Sequence, residues 1–295
     1  MEDTEKKVNT EQKVVKNKKI EEVAEQPKFA LITGANGGLA NAAIKELTEL
    51  NYTIFALDID KDVARTYKEN TKVVPIICDV TDAQAVTDAF KQVSEQTKKL
   101  DLIANFAGIV TLGSLIERPS KQLEQIFAVN VVGMYRINKA AFKYVKNAEG
   151  RIINICSEYS IFDAVPFNVF YGISKHSVEL YSDGLRRELA PFNIPVIKIR
   201  PGAFRTPMQR DIRKQFNEVV EASNLYKDIY ANMKTMMEKE IDRAKNPEIF
   251  AKVFIKAATA PKPKLAYNTN ISKQMKLLSS LPACLQDKVY KSYFK

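Results

Sequence analysis

The chain has 295 residues, of which 45% are hydrophobic and 27% charged, and its formal net charge is +10. This composition is ordinary for a soluble globular protein, and the length allows a core that needs no disulfides. No apolar run reaches the length of about 18 residues that a membrane span requires, and the first 26 residues lack the apolar stretch of a secretory signal.

The cysteines Cys78, Cys156 and Cys284 form neither a disulfide framework nor a Cys-x-x-Cys metal pair. We therefore expect a reduced, cytoplasmic protein without a metal site. Residues 261–295 hold seven lysines and one acidic residue, Asp287. Such charge can attract acidic partners or membrane surfaces, but dispersed lysines are more typical of a solvated surface. We expect no nucleic-acid partner and no integral membrane segment.

Residues 1–26 form a polar arm that Pro27 ends, and short apolar runs then alternate with amphipathic stretches. The apolar runs predict buried strands at residues 29–33, 53–57, 73–77, 102–104, 152–155 and 196–199. The stretches with helical period lie at residues 40–50, 83–97, 123–145 and 178–189. This alternation predicts an α/β fold with a doubly wound, mostly parallel, Rossmann-like sheet and helices on both faces.

The strand predicted at residues 29–33 runs directly into a glycine-rich turn, Gly34-Ala35-Asn36-Gly37-Gly38-Leu39-Ala40, and then a helix. Glycines at such a junction let the backbone approach a pyrophosphate, while the helix N-terminus supplies N–H groups and a positive dipole. Plain turns also use glycine, but a position directly after the first strand favours a nucleotide site.

The second strand is followed by Asp58, whose carboxylate can accept hydrogen bonds from both hydroxyls of an adenosine ribose and repel a 2′-phosphate. Neither Ala35 nor Asn36 offers a basic side chain for a phosphate clamp, although Lys61 lies nearby in the chain. The same carboxylate could instead cap a helix after Asp60. The pattern predicts NAD as the cofactor.

Two further strands end in small or polar residues. Cys78-Asp79-Val80 follows the third strand and Asn105-Phe106-Ala107-Gly108 follows the fourth. Each could be a plain turn. Because ligands bind at the carboxyl edge of such sheets, the turns together indicate one cofactor cleft.

Tyr171 and Lys175 stand four residues apart, so they share one face if the segment is helical. A free tyrosine has a pKa of about 10, and a nearby cation can lower it by about 1–3 units. We therefore expect Lys175 to lower the pKa of Tyr171, which would transfer the proton. Ser157 follows the strand at 152–155 and could hydrogen-bond a carbonyl, and Asn130 could hold a water. An exposed helical pair is the plain alternative for Tyr-x-x-x-Lys.

In this order the motifs resemble the short-chain dehydrogenase/reductase family over about residues 28–267. They are Thr33-Gly34-x-x-x-Gly38-x-Ala40, Asp79, Asn105-Phe106-Ala107-Gly108, Asn130, Ser157, Tyr171-x-x-x-Lys175 and Pro201-Gly202. The resemblance implies a catalytic set of Asn130, Ser157, Tyr171 and Lys175. The cofactor-binding residues that it implies are Gly34, Asn36, Gly37, Gly38, Leu39, Asp58, Asp79, Val80, Asn105, Ala107, Gly108, Tyr171, Lys175, Pro201, Gly202 and Thr206.

Three positions depart from the family pattern. Ala40 replaces the third glycine, and Phe106 stands where a second Asn is common. Ser157 precedes Tyr171 by 14 residues, one more than usual, so the loop between them carries an insertion.

Residues 181–192, 201–207 and 281–287 resemble the branch that holds retinol, hydroxysteroid and 3-hydroxybutyrate dehydrogenases. This implies an NAD(H)-dependent oxidoreductase that pairs its helices at 123–145 and 178–189 into a homodimer or homotetramer. We expect a polar arm (1–26), a Rossmann-like catalytic domain (27–267) that includes a helical substrate flap (203–247), and a basic C-terminal extension (268–295).

The flap is rich in methionine and aromatic residues, which suit a bulky apolar substrate such as a hydroxysteroid, with Glu158 and Ser160 as polar partners. These side chains could equally pack the flap onto the sheet. A small hydroxy acid such as 3-hydroxybutyrate would need a cation, for which Arg205, Arg210 and Arg213 are candidates. A retinol-type substrate and a non-catalytic nucleotide-binding scaffold are further alternatives. A single histidine and no Gly-x-Ser-x-Gly motif exclude a Ser-His-Asp hydrolase.

Overall fold

Seven strands form one parallel sheet in the order β3-β2-β1-β4-β5-β6-β7 in the computed structural model, which describes residues 27–294. The polar arm expected at residues 1–26 lies outside the described residues. The strands are β1 (Lys28–Thr33), β2 (Tyr52–Asp58), β3 (Val73–Ile77), β4 (Leu102–Asn105), β5 (Arg151–Ile155), β6 (Val196–Pro201) and β7 (Ala266–Thr269). The strand order reverses between β1 and β4, which confirms the doubly wound fold.

Parallel pairing places the ends of the central strands at one edge of the sheet. Thr33 at the end of β1 is in register with Leu57 of β2 and with Asn105 of β4. Asn105 is in turn in register with Asn154 of β5. The turns that follow these strands therefore share the carboxyl edge, where a ligand crevice is expected in such folds.

Helices cover both faces of the sheet. They are α1 (Gly38–Glu49), α2 (Val63–Thr66), α3 (Ala83–Gln96), α4 (Ser120–Phe127), α5 (Met134–Ala148), α6 (Val169–Glu188), α7 (Pro207–Ala222), α8 (Lys227–Asp242), α9 (Pro247–Thr259), α10 (Lys273–Leu278) and α11 (Ala283–Tyr293). Helices α1 and α9 pack on one face through buried side chains such as Ile44 and Phe254. Helices α3 and α5 pack on the other through Phe90 and Ile137.

The helix predicted at 123–145 consists of α4, a π-helical segment (Ala128–Gly133) and α5. The helix predicted at 178–189 begins earlier, at Val169, so Tyr171 and Lys175 lie within α6. The sequence did not predict this start, because helical periodicity becomes clear only after Lys175.

The flap is helical, as expected, and consists of α7 and α8. Its two ends meet where Phe204 forms a parallel β-bridge with Lys245. The sequence did not predict α9 or β7. The domain boundary expected after residue 267 falls inside β7 (Ala266–Thr269), which pairs with β6 and completes the sheet.

Among residues 27–294, no helix combines the length and the apolar character that crossing a bilayer requires. The same residues contain no cluster of His, Cys, Asp or Glu side chains that could hold a metal ion.

Candidate active site

The glycine-rich turn after β1 is shaped by close packing against neighbouring segments. Gly34 has a φ of +63°, and a Cβ there would lie 2.7 Å from the backbone nitrogen of Ala107. A Cβ at Gly38 would lie 2.8 Å from Cγ2 of Thr206. Gly37 caps α1 without a side-chain hydrogen bond to the helix N–H groups. The turn can therefore approach a ligand closely with its backbone, and the start of α1 faces the cleft.

Asp58 holds this turn in place from the end of β2. Its Oδ2 accepts the backbone N–H of Asn36 at 2.8 Å, and its Oδ1 accepts that of Asp60 at 2.9 Å. The Asn36 side chain in turn donates to Asp60 Oδ2 at 2.6 Å. Asp58 does not cap α2, because Asp62 is the residue before that helix. Each Asp58 oxygen has a second lone pair, so the carboxylate can still accept ribose hydroxyls.

Ser157, Tyr171 and Lys175 come together in the wall of one cleft. Ser157 follows β5, and its hydroxyl hydrogen-bonds Tyr171 and accepts the backbone N–H of Tyr159 at 3.2 Å. Lys175 lies one turn after Tyr171 on α6, with its Nζ 5.8 Å from the centre of the tyrosine ring. The same Nζ donates to the Ile155 carbonyl at 2.9 Å. The one-residue insertion between Ser157 and Tyr171 does not separate the two side chains.

Asn130 lies in the π-helical segment, behind the cleft wall. Its Oδ1 accepts the backbone N–H of Ile109 at 2.8 Å, and its Nδ2 donates to the Ile109 carbonyl and to Ser174 Oγ, both at 3.0 Å. A Cβ at Gly108 would lie 3.2 Å from Asn130 Oδ1 and 3.6 Å from Lys175 Nζ. The Asn130 side chain therefore positions the turn after β4 and helix α6.

Burial changes the proton affinity of both titratable groups in the site. Desolvation raises the pKa of Tyr171 to about 12, the hydrogen bond from Ser157 opposes this rise, and the Glu158 carboxylate adds to it. Desolvation lowers the pKa of Lys175 to about 8. The net shift of the Tyr171 pKa is upward in this structure, because burial outweighs the neighbouring groups. Tyr171 therefore carries its proton at neutral pH and can donate it.

Several expected cofactor contacts lie away from the cleft lining. Asp79 Oδ1 accepts the Thr81 N–H and hydroxyl, both at 2.8 Å. Val80 packs against Gly133, where a Cβ would approach its Cγ2 to 2.6 Å. The Ala107 N–H donates to Thr33 Oγ1 at 3.1 Å. These residues lie behind the lining of the cleft and support the turns that form it.

Asn105 belongs to a buried polar network. Its Nδ2 donates to Asn138 Oδ1 at 2.8 Å and to Asn154 Oδ1 at 2.9 Å, and Asn154 Nδ2 donates to Ser182 Oγ at 2.9 Å. The network joins β4, β5, α5 and α6. The sequence signal for it was a single Asn inside the apolar strand β5. Phe106, the departure beside Asn105, packs on the rings of α9.

The cleft has a volume of about 460 Å³ and runs from the glycine turn past Ser157 and Tyr171 to the flap. Expected cofactor residues in its lining are Gly34, Gly37, Gly38, Leu39, Gly108, Tyr171, Lys175, Pro201, Gly202 and Thr206. Its far end is apolar and contains Phe216, Val219 and Tyr230, with Leu112, Phe167, Tyr226, Met233 and Met237 packed against them.

The charged groups in the lining differ from those expected. Arg205, Arg210 and Arg213 are exposed and lie outside the lining, so they are not placed to bind a carboxylate there. Glu158 and Arg243 line the cleft instead and form an ion pair. Glu158 and Ser160 are both buried, and Ser160 Oγ donates to the Ser157 carbonyl at 2.6 Å.

A family model described as short chain dehydrogenase matches residues 28–217. A 3-ketodihydrosphingosine reductase of Bacteroides thetaiotaomicron is 30% identical over 217 residues, which cover 73% of this chain and 77% of that protein. The 17-beta-hydroxysteroid dehydrogenase type 6 of Rattus norvegicus is 33% identical over 187 residues, which cover 61% of this chain and 58% of the rat protein.

Solved structures show the same fold. A short-chain dehydrogenase from Streptomyces avermitilis superposes with a TM-score of 0.72 at 21% identity and covers 92% of this chain and 96% of its own. A 3-ketoacyl-(acyl-carrier-protein) reductase from Brucella melitensis complexed with NADH superposes with a TM-score of 0.68 at 20% identity, covering 82% of this chain and 96% of its own.

Substitution of either of two buried lysines near the site should change the free energy of unfolding, and we expect the two changes to have opposite signs. Lys175 is bonded to a neutral carbonyl, whereas Lys198 Nζ lies 2.7 Å from Glu179 and 2.8 Å from Asp183. Lys175→Met should raise the free energy of unfolding at pH 7 by about 1–3 kcal/mol, because it removes a poorly solvated charge. Lys198→Met should lower it by about 1–3 kcal/mol, because it removes one cationic partner of the part-buried Glu179 and Asp183 carboxylates, which then keep only Arg200 and Arg186. Urea unfolding checks both, and a destabilised Lys175→Met variant contradicts the first.

Proposed function

Because the chain belongs to the short-chain dehydrogenase family, we propose that it is an NAD(H)-dependent oxidoreductase that interconverts a secondary alcohol and a ketone on a bulky apolar substrate. A hydroxysteroid is the proposed substrate class. The observation that carries the proposal is the apolar end of the cleft, which adjoins the Ser157 and Tyr171 hydroxyls and is closed by Phe216, Val219 and Tyr230.

The chemistry of this chamber favours a large neutral ligand over a small acid. Arg243, a guanidinium in the lining, is already paired with Glu158, so a substrate carboxylate would have to compete with a buried carboxylate. Burying roughly 200 Å² of apolar ligand surface at about 25 cal/mol/Å² contributes around 5 kcal/mol before ordering costs. A four-carbon acid covers far less of the chamber than this.

The glycine turn, Asp58 and Lys175 are suited to a dinucleotide that extends along the cleft. The open start of α1 fits a pyrophosphate, and the two Asp58 oxygens fit the adenosine ribose hydroxyls. When bound, the nicotinamide supplies or accepts the hydride. The absence of a basic side chain at Ala35 and Asn36, together with the Asp58 charge, supports NAD(H) over NADP(H).

Tyr171 is the proposed proton donor in the direction of reduction. Its hydroxyl is protonated at neutral pH, and Ser157 stands beside it to hydrogen-bond the same substrate oxygen. Lys175 stabilises the tyrosinate that remains after transfer, because its ammonium lies one helical turn away in a desolvated site. Asn130 holds the Gly108 turn and α6 in register with these groups.

A second candidate is reduction of a long-chain ketone of the 3-ketodihydrosphingosine type. The Bacteroides relative, of which this chain covers 77%, favours it, and an apolar chain would also fill the flap end of the cleft. Retinol is a third apolar candidate, on the resemblance of the sequence to that branch.

Replacing the proton donor tests the catalytic assignment. Tyr171→Phe removes only the hydroxyl and should lower turnover by about 100-fold or more, the scale of general acid–base catalysis. Steady-state rates measured with saturating NADH and ketone provide the test, with Tyr226→Phe in the flap as a matched control. Near-native turnover by Tyr171→Phe contradicts the assignment.

Cofactor preference follows from the carboxylate at the end of β2. The wild-type protein should use NAD(H) with at least about tenfold higher kcat/KM than NADP(H), which corresponds to about 1.4 kcal/mol. Asp58→Asn should reduce this ratio, since it removes the charge and keeps one acceptor for the glycine turn. Asp60→Asn, which changes the adjacent carboxylate, should leave the ratio unchanged. A wild-type preference for NADPH rules out the proposed role of Asp58.

Assembly is proposed to use an apolar surface on α5 and α6 and the π-helical segment before them. Val132, Tyr135, Ile173 and Leu180 are exposed there, Leu180 by 73%. A second copy of the chain should cover them, so the wild-type protein should sediment as a dimer or tetramer at about 10 μM. Leu180→Glu should dissociate it, whereas Leu277→Glu on α10 should not. A monomeric wild-type protein refutes this.

The substrate class is tested by direct competition. With NAD⁺, a hydroxysteroid should be turned over at micromolar concentration even when 3-hydroxybutyrate is present at saturating concentration. Retinol should be tested as a substrate in the same assay, and 3-ketodihydrosphingosine should be tested in the direction of reduction with NADH. Efficient turnover of the hydroxy acid without any steroid turnover would overturn the proposal in favour of a small acidic substrate. Turnover of 3-ketodihydrosphingosine alone would select the second candidate.

A further inference from the structure

A buried ion pair joins the catalytic turn to the end of the flap. Glu158 directly follows Ser157, and its side chain is only 4% exposed. Arg243 directly follows α8, and its Nη2 donates to Glu158 Oε1. Both residues line the cleft beside Tyr171. The pair therefore links the flap to the segment that carries the catalytic serine.

The same two side chains also hold the C-terminal segment. Glu158 Oε2 accepts the backbone N–H of Ser272 at 2.7 Å. Arg243 Nη1 donates to the carbonyl of Asn270 at 3.1 Å, and Asn270 Nδ2 donates to the Ala203 carbonyl at 2.6 Å. Three segments that are distant in the sequence therefore meet at one charged contact, and both ends of the flap are tied to it.

This contact is packed tightly against the cofactor side of the cleft. A Cβ at Gly202 would lie 2.0 Å from the Asn270 carbonyl oxygen and 3.1 Å from Glu158 Oε2. The Glu158 carboxylate is also close enough to Tyr171 to raise the pKa of its hydroxyl. The ion pair thus lies between the reacting groups and the base of the flap, within the wall that a substrate would contact.

We propose that Glu158 and Arg243 are positioning residues for the reaction, which hold the flap closed against the catalytic turn and so fix the substrate beside Ser157 and Tyr171. The proposal rests on the oxidoreductase function proposed above. A buried charge that loses its partner is strongly unfavourable, so the pair resists separation of the flap from the turn. The flap supplies the apolar end of the cleft, so a flap that moves away from the turn loses apolar contacts that bind the substrate.

The kinetic test uses Glu158→Gln, Arg243→Gln and the double variant, in the full chain with NAD(H). Each should raise the substrate KM by about tenfold or more, change kcat less than KM, and leave the cofactor Kd within about twofold of wild type. The double variant should raise the substrate KM no more than the more affected single variant does, because the two residues act as a unit. Lys214→Gln is the matched control, since it removes an exposed ion pair with Glu218 on the same flap.

The second test needs no substrate turnover. Trypsin should cleave the flap of the NADH-saturated double variant about tenfold faster than that of the wild type, at basic residues such as Arg213 and Lys234, with thermal unfolding recorded in parallel. If flap cleavage rises although no steroid is turned over, the positioning role stands and only the proposed substrate fails. Unchanged KM and unchanged cleavage would overturn the inference. A parallel loss of cofactor binding, turnover and thermal stability would also overturn it, because the pair would then serve the overall fold.

Discussion

Parallel hydrogen bonding between β1, β4, β5 and β6 places the end of each strand at one edge of the sheet, and the site depends on that alignment. The glycine turn follows β1, the Gly108 turn follows β4, Ser157 follows β5 and Gly202 follows β6. No two of these segments are adjacent in the chain. A change of register in one strand would move its turn out of the cleft, so the apolar side chains that fix the register also fix the chemistry.

Burial changes the proton affinities of Tyr171 and Lys175. Tyr171 keeps its proton and Lys175 holds its proton less tightly because both are removed from water. The nearby lysine Lys198 is buried too, but Glu179 and Asp183 compensate its charge. The two lysines therefore differ in their contacts: Lys175 lies beside the Tyr171 ring without a carboxylate partner among its hydrogen bonds, and Lys198 forms ion pairs that join β6 to α6.

The cleft is completed by segments outside the central α/β units. The flap supplies the apolar end, and β7 with the residues after it anchors the flap through Asn270 and Ser272. Asn270 and Ser272, in the segment expected to form the C-terminal extension, therefore contact two residues of the cleft wall, Arg243 and Glu158. The flap end of the cleft is therefore built from different segments than the glycine turn, Ser157, Tyr171 and Lys175, which follow the sheet.

The sequence alone determined the α/β class, the first six strands, the helical flap and the residues at the strand ends, because each leaves a local signal: periodicity, a glycine cluster or a Tyr-x-x-x-Lys spacing. Tertiary structure alone decided the pairing of Glu158 with Arg243, the asparagine network around Asn105 and the place of β7. Their partners lie tens of residues apart, and no local pattern records such contacts. It also decided the proton affinity of Tyr171, since burial depends on the packed fold and not on the spacing of two side chains.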